Sequence, residues 1–330
     1  MKNTNSVIIK PNHSRKYGQT YRMYSVQEKL GINIVSASEE NIEVISRFSN
    51  IIVFDTDDID IYHIIQKMPE KRLISHFQLN PSYLGANSKL WHTSLKVLEL
   101  SDKIIVPAKY LKNQLQDHLS NKTEFVLNGV NELIFIPKKS LNNLPTIGYV
   151  GRLTNSKGLQ ILNYIWGNCP KNIIFQIDSI DNKIPIKINN RILSNVSVTR
   201  EKHITPFFDC LISTSLSEVA PLVIIEALVS GIQVIVTNST PFIDELQNHF
   251  GCEIVQKVDL PEYLNNQERS KLNLSIEDVE KIGKKFIEKI SKVQKQNMKR
   301  KKSIRLKALE MGLSSKNMCE QFEKIYNNYC

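Results

Sequence analysis

Short β-branched runs alternate with amphipathic stretches along both halves of the chain, and this alternation constrains the fold most. Each β-branched run predicts a strand and each amphipathic stretch a crossover helix, so the series predicts a parallel sheet. The first half predicts strands at Ser6–Ile9, Asn33–Ala37, Ile51–Asp55, Arg72–Phe77, Lys103–Val106 and Glu124–Leu127. The helices predicted between them are Tyr21–Leu30, Ile42–Phe48, Asp60–Lys67, Ser88–Leu100 and Tyr110–His118, with Asp57–Asp58 capping the third.

A polar segment bounded by two prolines, Pro137–Pro145, interrupts the alternation and predicts a linker. The second half predicts strands at Thr146–Val150, Ile173–Asp178, Val196–Val198, Cys210–Ser213 and Val234–Thr237, helices at Gly158–Trp166 and Pro221–Ser230, and a helical stretch from Ile276 to the end, with Ser275 as its N-cap. At 330 residues the chain is long enough for two domains. We predict an α/β protein of two Rossmann-like, doubly wound domains, residues 1–140 and 141–315, that face a central cleft and bind ligands at the carboxyl ends of their strands.

The composition excludes several other classes of protein. The N-terminal residues lack the long apolar segment of a signal peptide, and the most apolar later stretch, Pro221–Val236, is too short and too interrupted to span a bilayer. The five cysteines form no CxxC or Cys/His grouping, which favours reduced thiols over a zinc site or disulfides. These features predict a cytoplasmic protein without a metal site.

The net charge of +10 is partly concentrated late in the chain, within one predicted helical segment. The basic residues of this lysine cluster are Lys292, Lys295, Lys299, Arg300, Lys301, Lys302, Arg305 and Lys307. A solvated helix face explains such a cluster, and the alternatives are peripheral contact with an anionic membrane or with nucleic acid. Because no nucleic-acid-binding module is recognisable, we expect no nucleic-acid partner, and membrane contact stays open.

Two glutamates, Glu218 and Glu226, stand before and within a predicted apolar helix. Unpaired N–H groups and the helix dipole favour phosphate at such a helix start, which here consists of Pro221, Leu222 and Val223. A carboxylate at Glu226 can accept both hydroxyls of a ribose, and Glu218 would face a donor sugar. The alternative is that Glu218 caps the helix and Glu226 points into solvent, although the helical neighbours of Glu226 are mostly apolar.

A second segment runs from a predicted strand through a glycine and two cations into a helix. Its glycine, Gly151, brings the backbone close to a ligand, while Arg152 and Lys157 converge on a diphosphate. Two fixed positive charges would stabilise a departing nucleotide diphosphate, so no metal is required. The alternative is a chance match, because strand-loop-helix segments with Gly and Lys are common.

Together these segments resemble glycosyltransferase family 4 within the GT-B superfamily. The family's Gly-Arg-Leu…Lys-Gly loop is matched at Gly151, Arg152, Leu153, Lys157 and Gly158, and its Glu-x7-Glu element at Glu218, Glu226, Ala227 and Gly231. The turn Leu127–Asn131 is similar to one that family members carry before the linker. The tail around Phe322 and Tyr326 resembles the family's final helix, so residues 316–330 are expected to pack back on the first domain. The resemblance covers the chain well from about residue 100 onward.

The resemblance implies a retaining transfer from a UDP- or GDP-sugar to a glycan, lipid-linked or other hydroxyl acceptor, in cell-surface polysaccharide or glycoconjugate biosynthesis. The first domain would bind the acceptor and the second the nucleotide sugar, without a cofactor or metal. The implied catalytic residues are Glu218, Arg152, Lys157 and His76, the last at the end of a first-domain strand. In the first loop, the residues that fall where relatives meet donor and acceptor are Lys16, Tyr17, Gly18 and Arg22.

Two loops depart from the family pattern. Val219–Ala220 stands where relatives have Gly-Phe, and Ser239–Phe242 replaces a Gly-Gly loop. Glycine permits a close backbone approach that Val or Thr hinders, so the identity of the sugar stays open. The departures also keep open a catalytically silent GT-B subunit that binds or stabilises another glycosyltransferase. A further alternative is an epimerase or phosphorylase with the same fold.

Overall fold

The chain divides into two compact units. The computed structural model describes residues 5–11, 18–79, 89–140, 143–179, 205–266 and 272–329. The first unit comprises Met1–Gly129 together with Ser315–Cys330, and the second comprises Val130–Ser314. The division thus falls after Gly129, ahead of the segment Pro137–Pro145 in which the sequence placed the linker.

In the described part of the first unit, six parallel strands form one sheet in the order β2-β1-β3-β4-β5-β6. The strands are β1 (Ser6–Lys10), β2 (Asn33–Ser36), β3 (Asn50–Val53), β4 (Arg72–His76), β5 (Lys103–Val106) and β6 (Thr123–Phe125). The helices are α1 (Gly18–Leu30), α2 (Ile42–Ser46), α3 (Ile59–Gln66), α4 (Lys89–Leu100), α5 (Lys109–Gln114) and α6 (Asp117–Ser120). The strand predictions for this half are confirmed, with shifted ends, whereas the helix predicted at Tyr110–His118 is two short helices.

Both faces of the first sheet are covered, as expected for a parallel sheet with helical crossovers. Ile8 and Ile52 point to one face, where α1 packs, whereas Ile9 and Val53 point to the other, where α3 packs. Asp58 caps α3, because its carboxylate accepts hydrogen bonds from the backbone N–H groups of the first turn at 3.0 and 3.1 Å. The predicted cap is therefore confirmed.

In the described part of the second unit, five parallel strands form one sheet in the order β11-β10-β9-β7-β8. The strands are β7 (Thr146–Val150), β8 (Ile174–Asp178), β9 (Cys210–Ser213), β10 (Gln233–Thr237) and β11 (Val255–Val258). The helices are α7 (Leu159–Asn168), α8 (Leu222–Val229), α9 (Phe242–Phe250), α10 (Ile276–Ser291) and α11 (Met298–Glu310). The strand predicted at Val196–Val198 lies outside the described residues.

The predicted helical stretch from Ile276 onward is confirmed, with Ser275 as its N-cap, but it consists of three helices rather than one. The chain breaks between α10 and α11, and again before α12 (Ser315–Tyr329). Helix α12 belongs to the first unit, where Phe322 and Tyr326 join the core cluster that also contains Met23 of α1. Within the described ranges, no helix is both long and apolar enough to cross a membrane.

Candidate functional site

Three loops of the second unit meet at the carboxyl edge of its sheet. Strand β9 pairs with β7 on one side and with β10 on the other, and all three strands run parallel. The loops that follow them, residues 151–158, 214–221 and 238–241, therefore leave the same edge of the sheet side by side. This edge is where parallel α/β sheets bind ligands.

Hydrogen bonds join the first two loops and place Lys157 against Glu218. The N–H of Leu216 donates to the carbonyl of Ser156 at 2.9 Å, and the hydroxyl of Thr214 donates to the carbonyl of Lys157 at 2.8 Å. The Lys157 ammonium then forms an ion pair with the Glu218 carboxylate, and these two side chains are 20% and 12% exposed. Two candidate residues from separate motifs are thus in contact. An ion pair with this little exposure holds both groups more firmly than a surface pair would.

Gly158 makes this close approach of the two loops possible. Its φ of 69° lies in the left-handed region, and a Cβ atom added there would stand 1.9 Å from the carbonyl oxygen of Thr214. Substituting Gly158 by Ala is therefore expected to lower the free energy of unfolding by roughly 2–4 kcal/mol. Gly167→Ala is the matched control, because no atom lies within 4 Å of its added Cβ. Urea unfolding of both variants checks this, and equal stabilities would contradict it.

The other residues of the basic loop lie just after β7. The hydroxyl of Tyr149 donates to the carbonyl of Arg152 at 2.8 Å and fixes the backbone there. Arg152 is partly exposed, as is Gly151 beside it. Both therefore lie at the sheet edge in the loop that also carries Lys157.

Helix α8 begins at the same edge. Its N-cap position is Pro221, which makes no side-chain capping bond, and its first turn contains no acidic residue. Leu222 and Val223 form the start of the helix, where the N–H groups and the dipole favour an anion. Glu226 stands one turn further along and is half-buried. It is thus close to the predicted phosphate end of the helix and is not a fully solvated side chain.

The two loops that depart from the family pattern contact each other. The hydroxyl of Thr240 donates to the carbonyl of Val219 at 2.8 Å, and the N–H of Glu218 donates to the carbonyl of Ser239 at 3.3 Å. The loop after β10 therefore supports the backbone that carries Glu218. The sequence pattern identified both loops but gave no sign that they are joined.

His76 of the first unit is the last residue of β4 and is fully buried. Its ring stacks on Phe54 with centroids 3.9 Å apart, and its Nε2 lies 2.6 Å from the hydroxyl oxygen of Tyr326. Burial and then the charge of Arg22 hold the pKa of His76 well below its ordinary value, so the ring is neutral at physiological pH. The role of His76 toward a donor sugar stays a prediction. Gly18 begins α1, whereas Lys16 and Tyr17 lie outside the described residues.

The lysine cluster does not lie on one helix, because Lys292 and Lys295 lie between α10 and α11 and its other members lie on α11. Lys301 is fully buried, and its ammonium donates to the carbonyls of Phe208, Lys138 and Pro206 at 2.7, 2.9 and 3.3 Å. Arg305 also points inward and donates to backbone carbonyls of the second unit, including that of Val229 at 2.8 Å. Part of the positive charge therefore stabilises the fold, and only the remainder is available to an anionic surface.

The chain is similar in sequence to one known protein and in structure to several others. No family model matches the chain. Over 97 residues it is 37% identical to the uncharacterized glycosyltransferase MJ1178 of Methanocaldococcus jannaschii, a match that spans 29% of this chain and only 25% of that protein. The structure is similar to that of Alr3699/HepE of Anabaena in complex with UDP-glucose, with a TM-score of 0.71, 12% identity and coverage of 98% and 99% of the two chains. It is also similar to sucrose-phosphate synthase of Thermosynechococcus elongatus, with a TM-score of 0.71, 12% identity and 99% coverage of each chain.

These similarities extend over nearly the whole chain and therefore include both units. At 12% identity they show the fold rather than the reaction. The two parallel sheets with their flanking helices agree with that result. The chain therefore has the GT-B fold, as the sequence predicted.

Proposed function

We propose that this chain is a glycosyltransferase that moves a sugar from a nucleotide-diphosphate donor to a hydroxyl acceptor. The observation that carries the proposal is the ion pair between Lys157 and Glu218, which joins the two motifs at the carboxyl edge of the second sheet. A cation for the diphosphate and a carboxylate for the sugar thereby lie next to each other. An ion pair with only a structural role would not need to lie at the edge of the sheet where ligands bind.

The second unit supplies the groups that a nucleotide diphosphate needs. Lys157 and Arg152 provide two cations in one loop, and the start of α8 provides N–H groups and a favourable dipole. Glu226, one turn into α8, is placed to accept the ribose hydroxyls. The Anabaena structure contains UDP-glucose, which supports a UDP-sugar donor, and GDP remains the second choice of base.

The chemistry we propose is a transfer with retention of configuration. The bond between the anomeric carbon and the donor phosphate oxygen breaks, and a bond from the acceptor oxygen to the same face of that carbon forms. The proton of the acceptor hydroxyl passes to the departing phosphate oxygen. Lys157 and Arg152 stabilise the negative charge that grows on the diphosphate, so the step requires no metal. Glu218 orients the donor sugar.

The acceptor we propose is a glycan or lipid-linked hydroxyl in cell-surface glycoconjugate synthesis. The exposed members of the lysine cluster, such as Lys299 and Lys302, provide a weak attraction to an anionic membrane surface. Co-sedimentation with anionic vesicles at low and high salt tests that contact.

A panel of nucleotide sugars tests the proposed activity. Each donor is incubated with the protein, and release of the nucleotide and a nucleotide-dependent rise in melting temperature are measured. Hydrolysis or transfer with one donor supports the proposal, whereas no turnover and no thermal shift with any donor would sink it. Binding without turnover would instead favour the silent GT-B subunit, which the departures at Val219–Ala220 and Ser239–Phe242 motivate.

Substituting Glu226 by Ala is expected to weaken binding of the nucleotide diphosphate about 10- to 100-fold, since two charge-assisted hydrogen bonds to the ribose are lost. Isothermal titration compares the nucleotide selected by the panel with its 2′-deoxy analogue. The wild-type protein should prefer the ribose form, and the Glu226→Ala variant should lose that preference. Glu253→Ala is the control, because Glu253 is an exposed carboxylate of the same unit. An undiminished preference for ribose in Glu226→Ala would refute this role.

A further inference from the structure

A buried cation that no acidic side chain of the described residues balances lies in the first unit. Arg22 of α1 has no exposed surface, and none of its three guanidinium nitrogens has a hydrogen-bond partner among the described residues. Its guanidinium carbon lies 5.3 Å from the centre of the Phe322 ring. Burial lowers the pKa of Arg22 to about 9, against the smaller opposing effects of Tyr326 and Cys319. Native proteins rarely leave such a group unpaired.

A second unsatisfied polar atom lies beside Arg22. The Nδ1 of His76 is buried and has no partner in the part of the chain that the structure describes. The His76 ring contacts the same Phe322 ring, with centroids 4.7 Å apart. When the Tyr326 hydroxyl donates to Nε2 of the neutral His76 ring, the ring proton lies on Nδ1. Nδ1–H is then a hydrogen-bond donor without an acceptor among the described residues. The same holds for the guanidinium N–H groups of Arg22.

These donors lie where a ligand of the first sheet is expected to bind. His76 ends β4, and α1, which carries Arg22, follows β1 in the same parallel sheet. The nearby sequence offers no acid, because no Asp or Glu occurs between Lys10 and Arg22. We propose that Arg22 and His76 form a binding site for one carboxylate group of the acceptor, which makes the acceptor an acidic sugar or a similar carboxylate-bearing molecule. The inference rests on the proposed function, because it assigns this carboxylate to the acceptor.

Charge balance selects a carboxylate over a free phosphate. Arg22 is the one cation among the described residues of the site, because the His76 ring is neutral. One guanidinium neutralises a monoanion, and its planar fork matches a carboxylate bidentately, whereas a phosphate dianion would leave one buried charge uncompensated. Because Arg22 is fully buried, binding requires its long side chain to move away from Phe322.

Titration of the full-length protein with small probes tests the site. The probes are methyl glucuronide, the neutral methyl glucoside as its match, and inorganic phosphate, all in a low-chloride buffer. Methyl glucuronide is expected to bind at least about 10-fold more tightly than methyl glucoside, from one charge-assisted bidentate contact. Equal binding of the two sugars, or binding of inorganic phosphate alone, would overturn the proposal.

The variant Arg22→Met distinguishes a carboxylate-binding role of Arg22 from a purely structural one. It keeps the volume but removes the unpaired charge, so it should lose the preference for glucuronide and raise the melting temperature by about a few degrees. A lower melting temperature with the preference retained would show that Arg22 is only structural. Tyr326→Phe removes the hydroxyl that sets the His76 tautomer and should weaken glucuronide binding several-fold. A failed donor panel with intact glucuronide binding would count against the proposed function alone, whereas turnover of a donor without any preference for glucuronide would count against this site alone.

Discussion

Replacing Lys157 with alanine is expected to slow sugar transfer about 10²- to 10³-fold, the range found when one preorganised group that stabilises transition-state charge is removed. The substitution removes a cation from the diphosphate and also leaves the half-buried Glu218 carboxylate without its ion-pair partner. Both effects act on the reacting centre rather than on the core. Turnover of the donor identified by the panel is the measurement.

The control for Lys157→Ala is Lys171→Ala, which removes an exposed lysine from the same unit. The melting temperature of Lys157→Ala should also fall, because removing one partner of a mostly buried ion pair is destabilising, so turnover is compared at a temperature at which both proteins are folded. Glu218→Gln and the double variant complete a cycle. Since the two side chains are in contact, their effects on turnover should be strongly non-additive. A rate of donor turnover for Lys157→Ala within about threefold of wild type would contradict the proposed role of Lys157 in stabilising the diphosphate.

The sequence predicted most strands, including the partly exposed β2 and β6, and the buried ones have the clearest pattern. The strands of both sheet centres, such as β3 and β10, are buried along their whole length and therefore form unbroken β-branched runs. Strand β11 was missed because it pairs with β10 at the edge of the sheet that the described residues form, and its middle residues, Gln256 and Lys257, are polar and partly exposed. Helix α9 was also missed, although Phe242, Ile243, Leu246 and Phe250 have helical spacing and could have revealed it.

The break between α10 and α11 could not be predicted from local sequence. Neither Gly nor Pro occurs there, and the residues favour a helix. One long-range hydrogen bond and one local helix cap hold the break. The N–H of Gln296 donates to the Asp209 carboxylate at 2.9 Å, and the Asn297 side chain caps α11 by accepting from the N–H of Arg300 at 2.9 Å.

The candidate site likewise contains residues that the local sequence identifies and contacts that it does not. The motif residues Lys157 and Glu218 were identifiable because each has a local chemical pattern. The contact between His76 and Tyr326 joins positions 250 residues apart, and the burial of Arg22 depends on α12, so neither followed from local sequence. A charge pattern also cannot tell an inward-facing lysine from a solvated one, as Lys301 shows.

Substituting Lys301 by Met is expected to lower the free energy of unfolding of the second unit by about 3–5 kcal/mol, the range for removing one partner from a buried charge network. Three backbone carbonyls lose their shared donor. The Asp209 carboxylate also loses a nearby cation, although it keeps hydrogen bonds from the N–H groups of Thr146 and Gln296 at 2.9 Å each. Urea unfolding provides the measurement.

Lys302→Met is the matched control for Lys301→Met, because Lys302 is the next residue and is exposed. Its stability should lie within about 0.5 kcal/mol of wild type, as for most surface substitutions. If the two variants were equally stable, the contacts of Lys301 with the three carbonyls would contribute nothing to the free energy of unfolding. A large difference confined to Lys301→Met would show that this part of the lysine cluster stabilises the fold.

The effect of Lys301→Met should also depend on pH. Burial lowers the pKa of Lys301 from 10.5 to about 8, against the smaller opposing effect of Asp209. The folded chain therefore releases this proton near pH 8, whereas the unfolded chain keeps it until about pH 10.5. Between these values the unfolded chain binds more protons, so this group makes the free energy of unfolding rise with pH. The Met variant lacks this titratable group. The difference in free energy of unfolding between wild type and Lys301→Met should therefore widen from about pH 8 to about pH 10.5. A difference that narrows with pH would mean that the three carbonyls stabilise the protonated ammonium and raise its pKa instead.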